Sequence, residues 1–362
     1  MSKIVGATTG GISLHRLRPF ALALVLIAGI ELLIRGFGTD GRYNTDFFDF
    51  SPVQQDVLSK HVLFEKFSRV LPQIPSQTVQ VGDSSGFYGV VPAEVSSASG
   101  GEDYINLSCC GDTGWNGYYY GAKLALQRDD GPKTLVLHIT PFWAPASATF
   151  QGDNALAVLM RDYILKDDVW HRLRPPSAGY RLRLTNLVYH GQWLDDFPYD
   201  LHTAQPHYPS LRGWREQFRE TRGWVPLPWA MDDALLAAPQ PLPCQIENAY
   251  SESRYLGLVR EDSLYIHLQR FARLARDHDA RLVLVTNPVP CVPQQDASSA
   301  DIARQLARFR ADYPDVAVPF AFLRQWPQSA FKDRWHLGTE GAIRHSRLIG
   351  DFLHALPRLA RK

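Results

Sequence analysis

The stretch Gln77-Thr-Val-Gln-Val-Gly-Asp-Ser-Ser-Gly-Phe-Tyr-Gly-Val90 joins an apolar-alternating run to an abrupt polar turn at Gly82-Asp83-Ser84. Alternation predicts a β-strand, and a glycine lets the chain bend at the carboxyl end of that strand, where open α/β sheets bind their ligands. Ser84 is therefore the first candidate nucleophile. Asp and Ser beside Gly are also ordinary turn residues, so this role depends on a base and an acid elsewhere in the chain.

Outward from this turn, β-like runs alternate with helical patterns along most of the chain. The predicted strands are Thr78–Val81, Tyr104–Leu107, Thr134–Ile139, Arg281–Thr286 and Val316–Phe320, and the predicted helices are Gly114–Gln127, Ser263–Arg276, Ala300–Asp312 and one that starts near Thr339. This alternation predicts an α/β fold, a three-layer α/β/α sandwich around a five-stranded parallel sheet.

The alternation stops at about residues 144–260, directly after the third predicted strand. We interpret this region as a large, mostly helical and irregular insertion, with helices predicted at 155–173 and 180–189. Six of the nine tryptophans lie between Trp143 and Trp229. Aromatic faces suit stacking on sugar rings, and they equally suit a lid that packs its own small core.

The N-terminal region, residues 1–38, has the pattern of a targeting element. Residues 1–18 carry Lys3, Arg16 and Arg18 and no acid, and an apolar run from Phe20 to Ile34 follows. We interpret the region as a cytoplasmic tail and an uncleaved signal-anchor helix that crosses a bacterial inner membrane once. Residues 39–75 would connect this anchor to a periplasmic domain at 76–362. A buried N-terminal helix in a cytoplasmic protein is the alternative.

Composition excludes some classes of function. The chain has 38 Lys and Arg against 37 Asp and Glu, a formal charge of +1, and no basic block, so nucleic acid is not an expected partner. No zinc-ligand pattern matches the four cysteines, which are the adjacent Cys109 and Cys110 and the distant Cys244 and Cys291. We assign neither metal nor cofactor. Outside the cytoplasm Cys244 and Cys291 could pair; buried free thiols fit the sequence equally well.

The C-terminal segment Phe331-Lys-Asp-Arg-Trp-His-Leu-Gly338 supplies the acid and the base that the Gly-Asp-Ser turn needs. A loop can fold the Asp333 carboxylate onto Nδ1 of His336, which leaves Nε2 to take a proton from a serine hydroxyl. The spacing therefore predicts a Ser84–His336–Asp333 triad.

These residues together resemble the SGNH, or GDSL-type, hydrolase superfamily, whose fold is a doubly wound, flavodoxin-like five-stranded sheet. Gly82-Asp83-Ser84 matches its first motif block, and Asp333-Arg-Trp-His336 matches its last. The resemblance implies that Gly111, after the second strand, joins the backbone N–H of Ser84 in an oxyanion hole. The Asn that the family usually places after the third strand is missing here, and Asn287, after the next strand, is the substitute candidate.

An anchor, an SGNH domain and a large insertion together look like the accessory proteins of bacterial exopolysaccharide O-acetylation and cell-surface acylation. That resemblance implies serine-dependent O-acetyl transfer, through an acyl-enzyme at Ser84, to a cell-surface or secreted polysaccharide. A membrane-bound O-acyltransferase would deliver the acyl donor. Two alternatives stay open: a periplasmic carbohydrate or lipid esterase of the same fold, and a non-catalytic scaffold or glycan-binding partner of the acyltransferase.

Overall fold

A four-stranded parallel sheet in the order β2-β1-β3-β4 lies at the centre of the computed structural model. The structure describes residues 19–29, 62–63, 66–128, 131–141, 211–227, 243–244, 262–293 and 297–356. The strands are β1 Thr78–Gly82, β2 Tyr104–Asn106, β3 Thr134–Ile139 and β4 Arg281–Thr286. Each lies within a residue of its predicted bounds, so the α/β class and the parallel sheet are confirmed for these four strands.

Helices cover both faces of this sheet. They are α1 Ser84–Gly89, α2 Pro92–Ala98, α3 Gly114–Leu126, α4 Leu211–Glu220, α5 Ser263–Asp277, α6 Ala297–Asp312 and α7 Thr339–Ala355. Because side chains alternate along a strand, Leu137 and Leu284 pack in the core cluster that includes α3 and α5, whereas Val136 and Val283 pack with α2 and α7. The short helices α1 and α2 were not predicted.

The predicted fifth strand, Val316–Phe320, is wrong as a strand of the sheet. Only Ala317 pairs, in a parallel bridge with Val283 of β4, where its N–H donates to the Leu282 carbonyl and its own carbonyl accepts from Leu284. The next donor in a parallel ladder would be residue 319, which is proline and has no N–H. The segment therefore follows the sheet for one residue and leaves it.

The predicted N-terminal membrane helix is not supported by the described residues. Residues 19–29 are helical, and Phe20, Leu24 and Val25 are more than half exposed. No helix in the described part of the chain is long and apolar enough to cross a membrane. The remainder of the predicted anchor lies outside the described residues.

The segment predicted to connect the anchor to the domain packs into the core where it is described. A π-helix, Lys66–Val70, runs into a short helix, Leu71–Gln73, and Phe67 and Val70 are buried in the main core cluster. Lys66 is fully buried, with its ammonium 3.8 Å from the centre of the Phe87 ring, and burial lowers its pKa well below the usual value. Residues 66–73 are thus part of the domain.

Part of the predicted insertion returns to the sheet. The Arg222 carbonyl accepts a hydrogen bond from the Asn106 N–H on the outer edge of β2. Gly223 follows with φ of +96°, and a Cβ there would lie 2.1 Å from the Asn106 carbonyl oxygen, so only glycine fits. The helices predicted at 155–173 and 180–189 lie outside the described residues.

All four cysteines are described, and they form two disulfides. Cys244 and Cys291 have Cα atoms 4.9 Å apart and join two loops held by a parallel bridge between Pro243 and Val292. This Cα separation is ordinary for a disulfide. Cys109 and Cys110 pair with each other at the end of β2, directly before Gly111.

Candidate active site

The turn after β1 is possible only because residue 82 is glycine. Gly82 has φ of +147°, and a Cβ built on it would lie 1.7 Å from the carbonyl oxygen of His138 on the neighbouring strand β3. No side chain can occupy that space. The chain therefore turns sharply and begins α1 at Ser84, on the carboxyl edge of the sheet.

Asp83 holds this turn and is not free for proton transfer. Its Oδ1 accepts hydrogen bonds from the Ser85 N–H at 3.0 Å and from the Ser85 hydroxyl at 2.5 Å, and its Oδ2 accepts from the Thr140 N–H at 2.6 Å. The residue is 2% exposed. Such N-capping satisfies a first-turn donor of α1 and ties the turn to the end of β3.

The structure brings together the three residues of the predicted triad. Ser84 Oγ lies 2.9 Å from His336 Nε2, and His336 Nδ1 lies 2.8 Å from Asp333 Oδ2 and 3.0 Å from Oδ1. An ionised carboxylate only accepts, so Nδ1 carries the ring proton, Nε2 is left unprotonated, and the Ser84 hydroxyl donates to it. This is the arrangement in which imidazole can remove the serine proton.

The loop that carries Asp333 and His336 is fixed by its own backbone. Asp333 Oδ1 accepts from the N–H groups of Trp335 at 2.7 Å and His336 at 2.8 Å, and Lys332 N–H donates to the His336 carbonyl at 2.9 Å. The carboxylate therefore shapes the loop as well as orienting the ring. An antiparallel bridge between Phe331 and Leu337 closes it, just before α7.

Tyr88 of α1 contacts both His336 and the predicted insertion. The Tyr88 ring on α1 meets His336 edge to face, with ring centres 5.5 Å apart. The indole N–H of Trp224, which follows α4 in the insertion, donates to the Tyr88 carbonyl at 2.9 Å. Described residues of the insertion thus contact the helix that carries Ser84.

The two backbone amides predicted as oxyanion donors, those of Ser84 and Gly111, each begin a helix. Ser84 is the first residue of α1, and Gly111 is the first residue of a 3₁₀-helix, Gly111–Thr113, so neither N–H has an acceptor within its own helix. The preceding Cys110 carbonyl accepts from the Thr113 hydroxyl at 2.6 Å. A Cβ at Gly111 would meet nothing within 4 Å, so the space beside it is open.

Asn287, the third predicted oxyanion donor, has another role in the structure. Its side-chain amide donates to the carbonyls of Pro288 and Trp335, each at 2.9 Å, which uses both amide hydrogens. Asn287 is 1% exposed. The contact with Trp335 makes it a support for the loop that carries His336.

Sequence reasoning missed a second group of polar side chains, buried beneath the turn. His138, at the end of β3, lies 3.4 Å from Ser85 Oγ and 3.0 Å from Nε2 of His345 on α7. Burial, with the charge of Arg324, lowers the pKa of His138 to about 3, and burial lowers that of His345 well below its ordinary value. Both rings are therefore neutral, and no local pattern could have joined residues 207 positions apart.

Comparison of the chain with protein-family models, curated proteins and solved structures finds no significant match. In the part of the chain that the structure describes, no group of three or more His, Cys, Asp or Glu side chains is placed to hold a metal ion.

Proposed function

We propose that the protein forms an acyl-enzyme at Ser84 and passes the acyl group, an O-acetyl group, to a cell-surface or secreted polysaccharide. The observation that carries this proposal is the Ser84–His336–Asp333 geometry, in which a hydroxyl, an imidazole and a carboxylate lie in hydrogen-bonding series. The polysaccharide acceptor and the membership of the SGNH superfamily rest on the resemblance of the motif blocks and the anchor pattern.

In the first half-reaction, Ser84 Oγ attacks the acyl carbonyl carbon while its proton passes to His336 Nε2. Asp333 stabilises the imidazolium that forms, because its carboxylate lies against Nδ1. The carbonyl oxygen becomes an oxyanion, for which the N–H groups of Ser84 and Gly111 are the donors; one such donor typically contributes about 3 kcal/mol to transition-state stabilisation. The leaving oxygen then takes the proton from His336, and the acyl group remains on Ser84.

In the second half-reaction, an acceptor hydroxyl gives its proton to His336 Nε2 and attacks the acyl carbon. Ser84 leaves with that proton, and the acyl group is now on the acceptor. The same steps with water as acceptor give an esterase, and the triad alone does not distinguish the two. Transfer to a polysaccharide is favoured over hydrolysis by the anchor pattern and by the aromatic residues of the insertion.

We also propose a location: a single-pass protein of the bacterial inner membrane, with residues 76–362 in the periplasm. Two disulfides support an oxidising compartment, since such bonds are rare where thiols are kept reduced. A membrane-bound O-acyltransferase is the proposed source of the acyl donor. Membrane extraction and protease protection of the full chain would test the location, and a soluble cytoplasmic protein would contradict it.

The nucleophile is tested by labelling with a fluorophosphonate, which reacts covalently with activated serines. We expect the full chain to label, Ser84→Ala to lose labelling, and Ser85→Ala to keep it. Ser85 is a matched control because it is the adjacent serine and also lies against a histidine. Labelling that survives in Ser84→Ala would remove Ser84 from the mechanism.

The acceptor is tested separately. An aryl acetate supplies the acyl group, and release of the aryl alcohol is measured with and without an unacetylated polysaccharide. We expect faster release with the polymer and acetyl ester on the polymer by NMR. Release that is independent of polymer, with free acetate as the only product, would make the protein an esterase.

A further inference from the structure

Four hydrogen bonds, three of them buried, run from Arg324 to the turn that carries Ser84. Arg324 Nη2 lies 3.0 Å from His345 Nδ1, and His345 Nε2 lies 3.0 Å from His138 Nε2. His138 Nδ1 lies 3.4 Å from Ser85 Oγ, which lies 2.5 Å from Asp83 Oδ1. We call these five residues the arginine chain. It ends on the carboxylate that caps α1, one residue before the nucleophile.

The two ends of the arginine chain impose the same direction on every proton in it. A guanidinium only donates, so His345 Nδ1 must accept and its proton is on Nε2. That N–H donates to His138 Nε2, which places the proton of His138 on Nδ1. At the other end an ionised Asp83 only accepts, so the Ser85 hydroxyl donates to it and receives from His138. All donors thus point from Arg324 towards Asp83.

The surroundings keep water away from the two imidazoles. His138 and His345 are fully buried, and the apolar residues Val136 and Val283 lie in the core cluster on this face of the sheet. The rings of Phe320 and Trp326 lie within about 6 Å of His345. In such an interior a polar group without a partner is costly, so each ring nitrogen depends on its neighbour in the chain.

Arg324 is the positively charged residue at the end of the arginine chain that lies farthest from Ser84. Its guanidinium lies 4.0 Å from the centre of the Phe320 ring and 5.0 Å from that of the Trp326 ring. The Arg344 guanidinium lies over the same Trp326 ring at 4.7 Å. No carboxylate pairs with Arg324 among the described residues, and its Nε is buried without a partner there. Its hydrogen bond to His345 is therefore its main polar contact in this part of the chain.

We propose that Arg324 is a positioning residue for Ser84, acting through His345, His138 and Ser85 on the Asp83 cap. The effect of Arg324 on catalysis rests on the proposed function, whereas the proton positions along the arginine chain do not. Ser85 serves in this chain as a relay: its hydroxyl hydrogen is committed to Asp83 and its oxygen accepts from His138. This leaves Ser84 as the hydroxyl of the turn that can give its proton to a base.

The proton positions are tested by ¹⁵N NMR of the full chain labelled at histidine, with His138→Gln and His345→Gln used to assign the two rings. A protonated ring nitrogen resonates far from an unprotonated one. We expect His138 to carry its proton on Nδ1 and His345 to carry its proton on Nε2. The opposite placement at either ring would overturn the direction of the chain, and this result needs no catalytic activity.

The role of Arg324 is tested by Arg324→Met, with Arg324→Lys as the conservative variant and Arg344→Met as the matched control beside the same indole. In Arg324→Met we expect the His345 Nδ1 resonance to move towards that of an unbonded ring nitrogen, and fluorophosphonate labelling of Ser84 to slow roughly tenfold. Arg324→Lys should restore both, because lysine also only donates. Arg344→Met should change neither.

The outcomes separate this proposal from the proposed function. If the wild-type chain does not label at all, the acyl-enzyme proposal fails while the NMR result still decides the direction of the chain. If Arg324→Met alters the His345 resonance but labels at the wild-type rate, the positioning role is wrong. An unchanged His345 resonance in Arg324→Met would remove Arg324 from the chain.

Discussion

Ser84 and Ser85 are neighbours in the sequence, and each lies against a histidine, yet the structure gives them opposite roles. The Ser84 hydroxyl donates to His336, whose other nitrogen donates to a carboxylate. The Ser85 hydroxyl accepts from His138 and donates to Asp83. A histidine beside a serine therefore does not identify a nucleophile. The direction of the hydrogen bond, fixed by the charged group at the far end, decides whether the histidine can act as a base.

The largest difference between His336 and His138 should appear in the reaction rate after each is replaced. Replacing His336 with Gln removes the base, and loss of such a residue from a serine triad typically lowers the rate roughly 10⁴-fold or more. His138→Gln should stay within about tenfold of wild type, because His138 acts only on the position of the turn. Rates of fluorophosphonate labelling and aryl acetate cleavage measure both. Equal losses in the two variants would contradict the assignment.

A second prediction concerns Asn287, which supports the loop that carries His336. Because it holds the Trp335 carbonyl, Asn287→Ala should cost about 1–3 kcal/mol of unfolding free energy, the usual penalty for leaving a buried polar group without its partner. We expect a fall in kcat of no more than about tenfold. Urea unfolding and ester cleavage measure the two effects. A fall of about 10²–10³-fold at unchanged stability would instead make Asn287 an oxyanion donor.

The pH dependence of stability should report the buried histidines. His138 has a pKa of about 3 in the folded protein against 6.5 in the unfolded chain, so between these values the unfolded state binds the extra proton. The contribution of neutral, buried His138 to the free energy of unfolding is therefore fully present above pH 6.5. It is lost as the pH falls below that value. One such group contributes a slope of about 1.4 kcal/mol per pH unit within that window.

Urea midpoints measured across this window for wild type and His138→Gln should show the smaller slope in the variant. His345→Gln is the parallel variant, because the pKa of His345 is lowered by the same burial. Indistinguishable slopes in wild type and His138→Gln would show that His138 is not buried in its neutral form.

The smallest expected effect on stability is that of Ser85→Ala. The variant loses the hydroxyl that donates to Asp83 but keeps the Ser85 N–H bond to the same oxygen, so about 1 kcal/mol of unfolding free energy should be lost. Thermal unfolding measures this loss, and Ser84 should still label, slowed no more than the roughly tenfold expected for Arg324→Met. A variant that unfolds normally but no longer labels would reverse the roles of the two serines.

The elements that the sequence predicted well are those whose pattern is local. Strands β1 to β4 alternate or run apolar over a few residues, and Gly82 marks the end of β1, so their bounds and the order of the triad residues followed from reading along the chain. The fifth strand was wrong because its apolar run contains Pro319, which a hydrophobicity pattern does not penalise. The helices α1 and α2 have too few turns to show a clear period.

The arginine chain could not be predicted for a different reason. His345 lies on the most buried face of α7, beside Ser346 and Ala342, whereas the apolar Ile343 and Leu348 of the same helix are only partly buried. Two polar side chains, His345 and Ser346, therefore share the buried face of α7 with the apolar Ile349 and Leu353. A hydrophobic pattern places such residues outside, and only their partners across the fold explain why they lie inside.

Both edge strands of the sheet, β2 and β4, are partly covered, which bears on aggregation between copies of the protein. On one side Ala317 pairs with β4 and Pro319 withholds the next donor; on the other, the Arg222 carbonyl covers the Asn106 N–H of β2. Open strand edges are templates on which a second chain can add its own strand and begin aggregation. Short, irregular segments of the same chain occupy both edges of this sheet. They leave few backbone groups on which a strand of a second copy could pair.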